Sequence, residues 1–209
     1  PSMMMCMAVW CRKRSTGSWQ STTTKMRELS LNVMDIAQNS ISAGASCITV
    51  DVCEDAALDR LTIRIVDNGR GMTAEQVARV IDPFFTTRTT RKVGLGIPLF
   101  KMEAEMTGGG LRIDSEPGKG TTVTAEFVPS HVDFIPLGDI NETILLLITC
   151  NTDRDFVFHH RIDDREFTLD TRELRGILGE EVELNVPDVV AWMRDFLKEQ
   201  TESIKGEKI

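Results

Sequence analysis

The sequence contains no C-x-x-C pair, and its five cysteines (Cys6, Cys11, Cys47, Cys53 and Cys150) are odd in number. Both facts argue against a disulfide framework and against a zinc site. Cys47 and Cys53 fall in an apolar, strand-like stretch and are expected as buried small hydrophobes. Unpaired thiols of this kind fit a reducing, cytoplasmic setting. Basic residues are also scarce: 24 Lys and Arg stand against 32 Asp and Glu, a net charge of -8 at pH 7. Binding nucleic acid or anionic lipid over a broad face needs excess Lys and Arg, so neither is expected as a partner. A single nucleotide needs only a local site and is not excluded. No apolar run is long enough to cross a membrane. The apolar stretch from Met3 to Trp10 is followed, not preceded, by Arg12, Lys13 and Arg14, the reverse of a secretory signal. No internal repeat is present.

What is there is globular. The chain has 209 residues, 41% hydrophobic and 27% charged, enough for one mid-sized domain or two small ones. Residues 1–25 lack a period and read as a disordered or non-native extension, with Met26 opening a clean helical pattern. Leu29, Val33, Ile36 and Ile41 recur at helical spacing, and Gly44 can end that helix. Residues 47–53 and 61–66 alternate as strands, with Ile48, Val50 and Val52 on one face and Thr49 and Asp51 on the other. Thr73 and Gln76 form a capping box for a helix over 74–81. A loop over 82–94, a helix over about 96–107 and two strands around a PGKG turn complete this part. After Pro129 the rhythm changes. Residues 143–150 read as a near-continuous apolar strand, DFVFHH and REFTLDT as further strands, and TRELRGIL and PDVVAWMRDFLKEQ as helices. The tail beyond Gln200 is polar and expected to fray. His159 and His160 alternate sides of a strand, so only one can face solvent, and both are read as structural.

Four segments carry the chemistry. D-I-A-Q-N places Asp35 and Asn39 four residues apart on one helix face. D-N-G-R-G-M, Asp67 to Met72, follows a strand directly; D-P-F-F-T-T-R, Asp82 to Arg88, lies in the loop; V-G-L-G, Val93 to Gly96, opens a helix. A final G-K-G-T, Gly118 to Thr121, joins the last two strands. Each is weak alone. Together, two glycine-rich turns, an acid at a strand end and a helix bearing Asp and Asn describe a nucleotide pocket built from backbone N–H groups. An Asn side-chain oxygen is a hard ligand for magnesium that already carries phosphate oxygens.

In this order the motifs resemble those of the gyrase, heat-shock chaperone, histidine kinase and mismatch-repair ATPases. DIAQNSISAGAS resembles the N box, IVDNGRGM the G1 box, DPFFTTR the F box, and VGLGIPLFKMEAEMTGGGLRIDSEPGKGTTVTAEF the G2 box and closing strands of histidine kinases. The resemblance covers residues 26–129. It implies an α+β, two-layer sandwich of Bergerat type, while the residue pattern beyond it reads as a small C-terminal α/β domain of unknown role, or an extension packed on the first, over residues 130–202 with a tail at 203–209. It also implies ATP and Mg2+ as cofactors. Asn39 would hold the metal, Asp67 would accept from the adenine amine, Gly69, Gly71 and Met72 would wall the base, and Ala43 would also belong to the nucleotide site. Gly94, Leu95 and Gly96 would close on the phosphates, Thr121 would lie near adenine, and residues 82–94 would be the lid. Arg88, Arg91 and Lys92 reach the phosphates from that lid or form a solvated basic loop.

Two departures accompany the resemblance. Lys92 and Val93 stand where histidine kinases commonly carry G-T, and no histidine precedes His131, so the standard autokinase layout is not expected. Asp35 occupies the place of an acidic general base in hydrolytic and serine-kinase relatives; the other reading is a group that only positions Asn39 or a metal-bound water. The expected function is a kinase-like ATPase that hydrolyses ATP or transfers its γ-phosphate to a partner protein. The alternatives are a nucleotide-gated interaction module without turnover and a split histidine kinase acting in trans. Residues 130–202 are the expected protein-docking surface, and a homodimer is compatible with the sequence. The opening MRELSLNVMDIAQNSISAGA also resembles short ATP-binding proteins associated with iron–iron hydrogenase genes.

Overall fold

A computed structural model describes residues 28–82, 96–179 and 182–206. Its elements in chain order are α1 (Leu29–Ser42), β1 (Cys47–Asp55), β2 (Arg60–Asp67), α2 (Ala74–Ile81), α3 (Gly96–Met106), β3 (Gly110–Glu116), β4 (Gly120–Phe127), α4 (Ile140–Cys150), β5 (Asp155–Ile162), β6 (Arg165–Asp170), α5 (Thr171–Leu178) and α6 (Pro187–Lys205). The strands form one sheet in the order β3-β4-β2-β1-β5-β6. Every neighbouring pair is antiparallel except β1 and β5, which run parallel.

Side-chain alternation decides the layers. Ile48, Val50 and Val52 of β1, Leu61, Ile63 and Ile65 of β2, and Val123, Ala125 and Phe127 of β4 are buried. The register aligns them, Val50 opposite Ile65 and Ile65 opposite Val123. Leu29, Val33, Ile36, Ala37 and Ile41 of α1 meet this face, and α1 in turn touches α3 and α4. Phe100 of α3 packs on Phe127 of β4 with ring centroids 5.3 Å apart. The opposite face carries polar side chains, including Arg64 3.3 Å from Asp51. The result is a two-layer α+β sandwich, as expected. Cys47 and Cys53 correct one expectation: they share the partly exposed polar face with Thr49 and Asp51, because odd positions of β1 point away from the helices.

Two further expectations are overturned. Residues 143–150 form most of helix α4, not a strand. The run is apolar on nearly every side, so its period cannot separate a buried helix from a buried strand. The helix is buried broadly because α1, α6 and β5 all touch it. The missed signal is the N-cap: the Asp139 carboxylate accepts from the Glu142 N–H at 2.9 Å. Similarly, α6 does not fray at Gln200. It continues to Lys205 because Thr201 and Ile204 extend its buried stripe, and Gly206 closes it in a left-handed cap. The readings of residues 1–25 and of the lid, residues 83–95, lie outside the described residues.

Residues 130–206 extend the same sheet. The first backbone N–H groups of α1 have no side-chain cap. Instead Leu29 and Ser30 donate to the carbonyls of Pro136 and Leu137 at 3.0 and 2.9 Å. β5 covers the edge of β1, and His160, 1% exposed, donates or accepts through Nε2 at 2.9 Å with Glu54 of β1. His159 faces the open side beside Glu166, so the pair divides between the two faces. A chain ending at residue 131 would leave β1 as a bare edge and α1 uncapped. It is expected to be recovered mainly as aggregate, with any soluble fraction melting at least 10 °C lower. Soluble yield and a thermal melt check this, and an unchanged melting temperature would contradict it.

Candidate functional site

Strand register builds one end of a cleft. Asp67 of β2 lies opposite Thr121 of β4, and Thr121 lies opposite Ser115 of β3. The three side chains therefore form one row across three strands, at the edge of the buried face. Asp67 is 8% exposed. Its Oδ1 accepts from the Gly69 N–H at 2.9 Å and its Oδ2 from the Ser40 hydroxyl of α1 at 2.7 Å. A buried carboxylate needs such donors, and two charge-assisted bonds fix its plane. Ser115 Oγ accepts from the Met72 N–H at 2.8 Å, donates to the Gly120 carbonyl at 3.0 Å, and lies 2.9 Å from Thr121 Oγ1. The cleft has a volume of about 560 Å³ and is lined by Asp67, Val77, Ile113, Ser115, Gly120 and Thr121, among others.

The two glycine-rich turns interlock. The Arg70 N–H donates to the Ala43 carbonyl at 3.1 Å, and the Gly118 N–H donates to the Arg70 carbonyl at 2.8 Å. Gly71 has φ +65°, and a Cβ there would stand 2.0 Å from the Glu116 carbonyl oxygen. Gly120 has φ +101°, and its Cβ would stand 1.9 Å from the Asp67 carbonyl oxygen. No side chain fits at either position, so the turns can nest only as glycine. Gly69 leaves Ala43 Cβ close by, 3.1 Å from where its own Cβ would be. Asn68 holds the turn by accepting from the Ser46 and Cys47 N–H groups at 2.9 and 3.0 Å.

Asp35 and Asn39 are exposed one turn apart on α1. Gly96, the first residue of α3, packs against Asp35 so closely that a Cβ would lie 2.8 Å from Asp35 Cβ. A part-buried link runs alongside, where the Asn32 amide of α1 donates to the Glu103 carboxylate of α3. Asp35 keeps part of its surface in solvent, and the partial burial of its carboxyl raises it above its ordinary value, because removing water disfavours the charged form. Capping holds α2 beside the cleft: Thr73 Oγ1 accepts from the Gln76 N–H at 3.3 Å and Gln76 Oε1 accepts from the Thr73 N–H at 2.8 Å.

Asp35, Asn39, Ala43, Asp67, Gly69, Gly71, Met72, Gly96 and Thr121 thus have described positions. Asp67, Thr121 and Met72 converge on the strand row, whereas Asp35 and Gly96 meet where α1 crosses the start of α3. Arg88, Lys92, Gly94 and Leu95 lie outside the described residues. Sequence reasoning missed Ser40 and Ser115. Ser40 was legible as the neighbour of Asn39, and Ser115 from the PGKG hairpin, whose register sets it opposite Thr121.

Comparison with known proteins follows the same lines. Over 106 residues the chain is 31% identical to the sensor histidine kinase ZraS of Klebsiella oxytoca, a match spanning 50% of this chain and 22% of that protein. It is 34% identical over 98 residues to the sensor histidine kinase RcsC of Escherichia coli K12, covering 44% of this chain and 10% of that one. It is 35% identical over 91 residues to the sensor protein DegM of a Bacillus species, covering 44% and 24%. The chain therefore spans less than a quarter of the length of these relatives. Among solved structures, the Aquifex aeolicus MutL ATPase domain complexed with ADP aligns with a TM-score of 0.45 at 18% identity, over 88% of this chain and 70% of that one. The family described as histidine kinase-, DNA gyrase B- and HSP90-like ATPase matches residues 23–131, just over half of the sequence. The chain belongs to that ATPase family.

Proposed function

We propose that the chain binds ATP with magnesium in this cleft and turns it over, either hydrolysing it or passing the γ-phosphate to a partner protein in a regulatory role. The observation that carries the reading is the strand row of Asp67, Thr121 and Ser115 at one end of the cleft, with Asp35 lying against the start of α3. Asp67 is the group that accepts from the adenine amine, and Ala43, Gly69, Gly71 and Met72 wall the base. The start of α3 at Gly96, together with Gly94 and Leu95, takes the phosphates on backbone N–H groups. Arg88 and Lys92 add charge from the lid. Asn39 would hold magnesium through its hard amide oxygen, where the metal would supply neutralisation of phosphate charge. Asp35 acts as the general base that takes a proton from water or from a partner's hydroxyl.

Asp35→Asn is expected to lower turnover at least a hundredfold while ATP affinity stays within threefold. Turnover of γ-labelled ATP, paired with calorimetric binding, checks both halves. Unchanged turnover would remove Asp35 from the mechanism. The sign of the pH dependence follows from burial. A base must be deprotonated, and partial burial raises the carboxyl above its ordinary value. The rate should therefore rise with pH through a midpoint above that value, and Asp35→Asn should abolish this limb.

A second reading, a nucleotide-gated interaction module, is favoured by the extension. It caps α1, which carries Asp35 and Asn39, and it exposes Trp192 at 49% on α6. Residues 130–202 are then the partner surface, in a heteromeric complex or a homodimer. Incubating the chain and γ-labelled ATP with and without cell extract separates the readings. Free phosphate indicates hydrolysis, acid-stable label on a partner indicates serine or threonine transfer, and acid-labile label indicates histidine transfer. Tight binding with no product over hours indicates the gated module.

A further inference from the structure

The hydrogen bonds around Ser115 can be counted proton by proton. A serine hydroxyl has one hydrogen to donate and two lone pairs to accept with. Ser115 Oγ has three partners: the Met72 N–H, the Gly120 carbonyl and Thr121 Oγ1. The Met72 N–H can only donate and the Gly120 carbonyl can only accept. All three contacts are satisfied together in one arrangement. Ser115 spends its proton on Gly120 and accepts from Met72 and from Thr121. The Thr121 hydroxyl proton is thereby directed at Ser115, and only lone pairs remain on its cleft side.

The same count applies to Asp67, whose ionised oxygens can only accept. Ser40 and the Gly69 N–H take one site on each oxygen and leave the remaining lone pairs free. Asp67 and Thr121 are cross-strand partners, so both address the same point in the cleft. Resting on the reading that the cleft binds ATP, we infer that Ser115 is a positioning residue for base selectivity. By taking the Thr121 proton it leaves two acceptors and no donor facing position 6 of the purine. An exocyclic amine has two N–H groups, one for each acceptor, in direct contact. A 6-oxo purine presents an oxygen there and meets lone pairs on both sides.

Calorimetric titration of the whole chain with ATP and with ITP tests this. The wild type is expected to prefer ATP at least a hundredfold, as a site built around hydrogen bonds rejects an analogue that cannot make them. In Ser115→Ala the Thr121 hydroxyl is free to turn its proton toward the base. ITP should then bind more tightly than to the wild type, and the ATP preference should fall about tenfold. Ser115→Thr should restore the preference. Thr121→Val, which leaves Ser115 in place, should weaken ATP about tenfold and leave ITP unchanged. Equal losses for ATP and ITP in Ser115→Ala would mean that Ser115 only holds the turn, and would overturn the inference. So would a Thr121→Val variant that loses ITP as much as ATP. A wild type that binds the two nucleotides equally overturns the selectivity while leaving nucleotide binding in place. A wild type that binds neither removes the ATP reading beneath it.

Discussion

Asp67→Asn is expected to bind ATP at least a hundredfold more weakly than the wild type while remaining folded. The carboxylate has an N–H donor on one oxygen and a hydroxyl donor on the other, at 2.9 and 2.7 Å. An amide of the same shape must turn its NH2 toward one of them. Facing Gly69, it sets two N–H groups against each other, because the backbone N–H cannot turn. Facing Ser40, it meets a hydroxyl that can swing its proton to the Ile36 carbonyl, 3.4 Å away. The second arrangement is the one the fold tolerates, at a cost of about 1–3 kcal/mol. It replaces one of the two acceptor oxygens available to the adenine amine with a donor, and two donors facing each other in a buried site forfeit both the bond and its charge assistance. Calorimetry gives the affinity and a thermal melt shows whether the chain still folds. A variant that binds ATP within threefold of wild type would show that Asp67 is not the base-reading group.

Gly120→Ala should strongly destabilise the fold. Its Cβ would stand 1.9 Å from the Asp67 carbonyl oxygen and 2.8 Å from the carbonyl carbon, and its φ is +101°. The obstacle is backbone of the adjacent β2 strand, so no side chain can move aside. Either β4 separates from β2 at Thr121 or the start of the Asn68 turn shifts, and both lie in the strand row. A loss of more than about 3 kcal/mol is expected, a fall in melting temperature of about 10 °C. Gly118→Ala is the matched control. It has a similar left-handed backbone, φ +80°, but nothing lies within 4 Å of the added methyl. It should cost only the conformational strain, about 1 kcal/mol. Equal losses in the two variants would mean that backbone strain, not the close approach of the turns, makes glycine necessary at residue 120.

The front of the fold was legible because its signals were local and agreed with one another. The spacing of Leu29, Val33 and Ile36, the alternation of Ile48, Val50 and Val52, and the Thr73–Gln76 box each specify one element. All are observed. Asp67 and Gly71 were legible as site candidates because an acid at a strand end before a glycine turn is rarely innocent in that company. Helix α4 was misread because its surroundings, three packed elements, bury most of its circumference and erase its polar face. Cys47 and Cys53 were misplaced for a different reason. Their side of β1 was decided by alternation, and their apolar character was allowed to outweigh it. Ser40 and Ser115 escaped because a serine says little alone. Their importance comes from what stands 2.7–3.0 Å away, and sequence separations of 27 and 43 residues hide those neighbours.

The parallel pairing of β1 with β5 also sets an order of events in time. The β1–β2 and β3–β4 hairpins join neighbouring segments and can form early, whereas Cys47 must wait for Asp155. Every residue of the cleft from Asp35 to Thr121 leaves the ribosome before β5 has been made. For that interval the nascent chain carries β1 with one edge unpaired and α1 without the carbonyls of Pro136 and Leu137 that satisfy its first N–H groups. Until β5 pairs with it, β1 is an exposed edge open to wrong partners, so this interval of synthesis is the one most prone to misassembly.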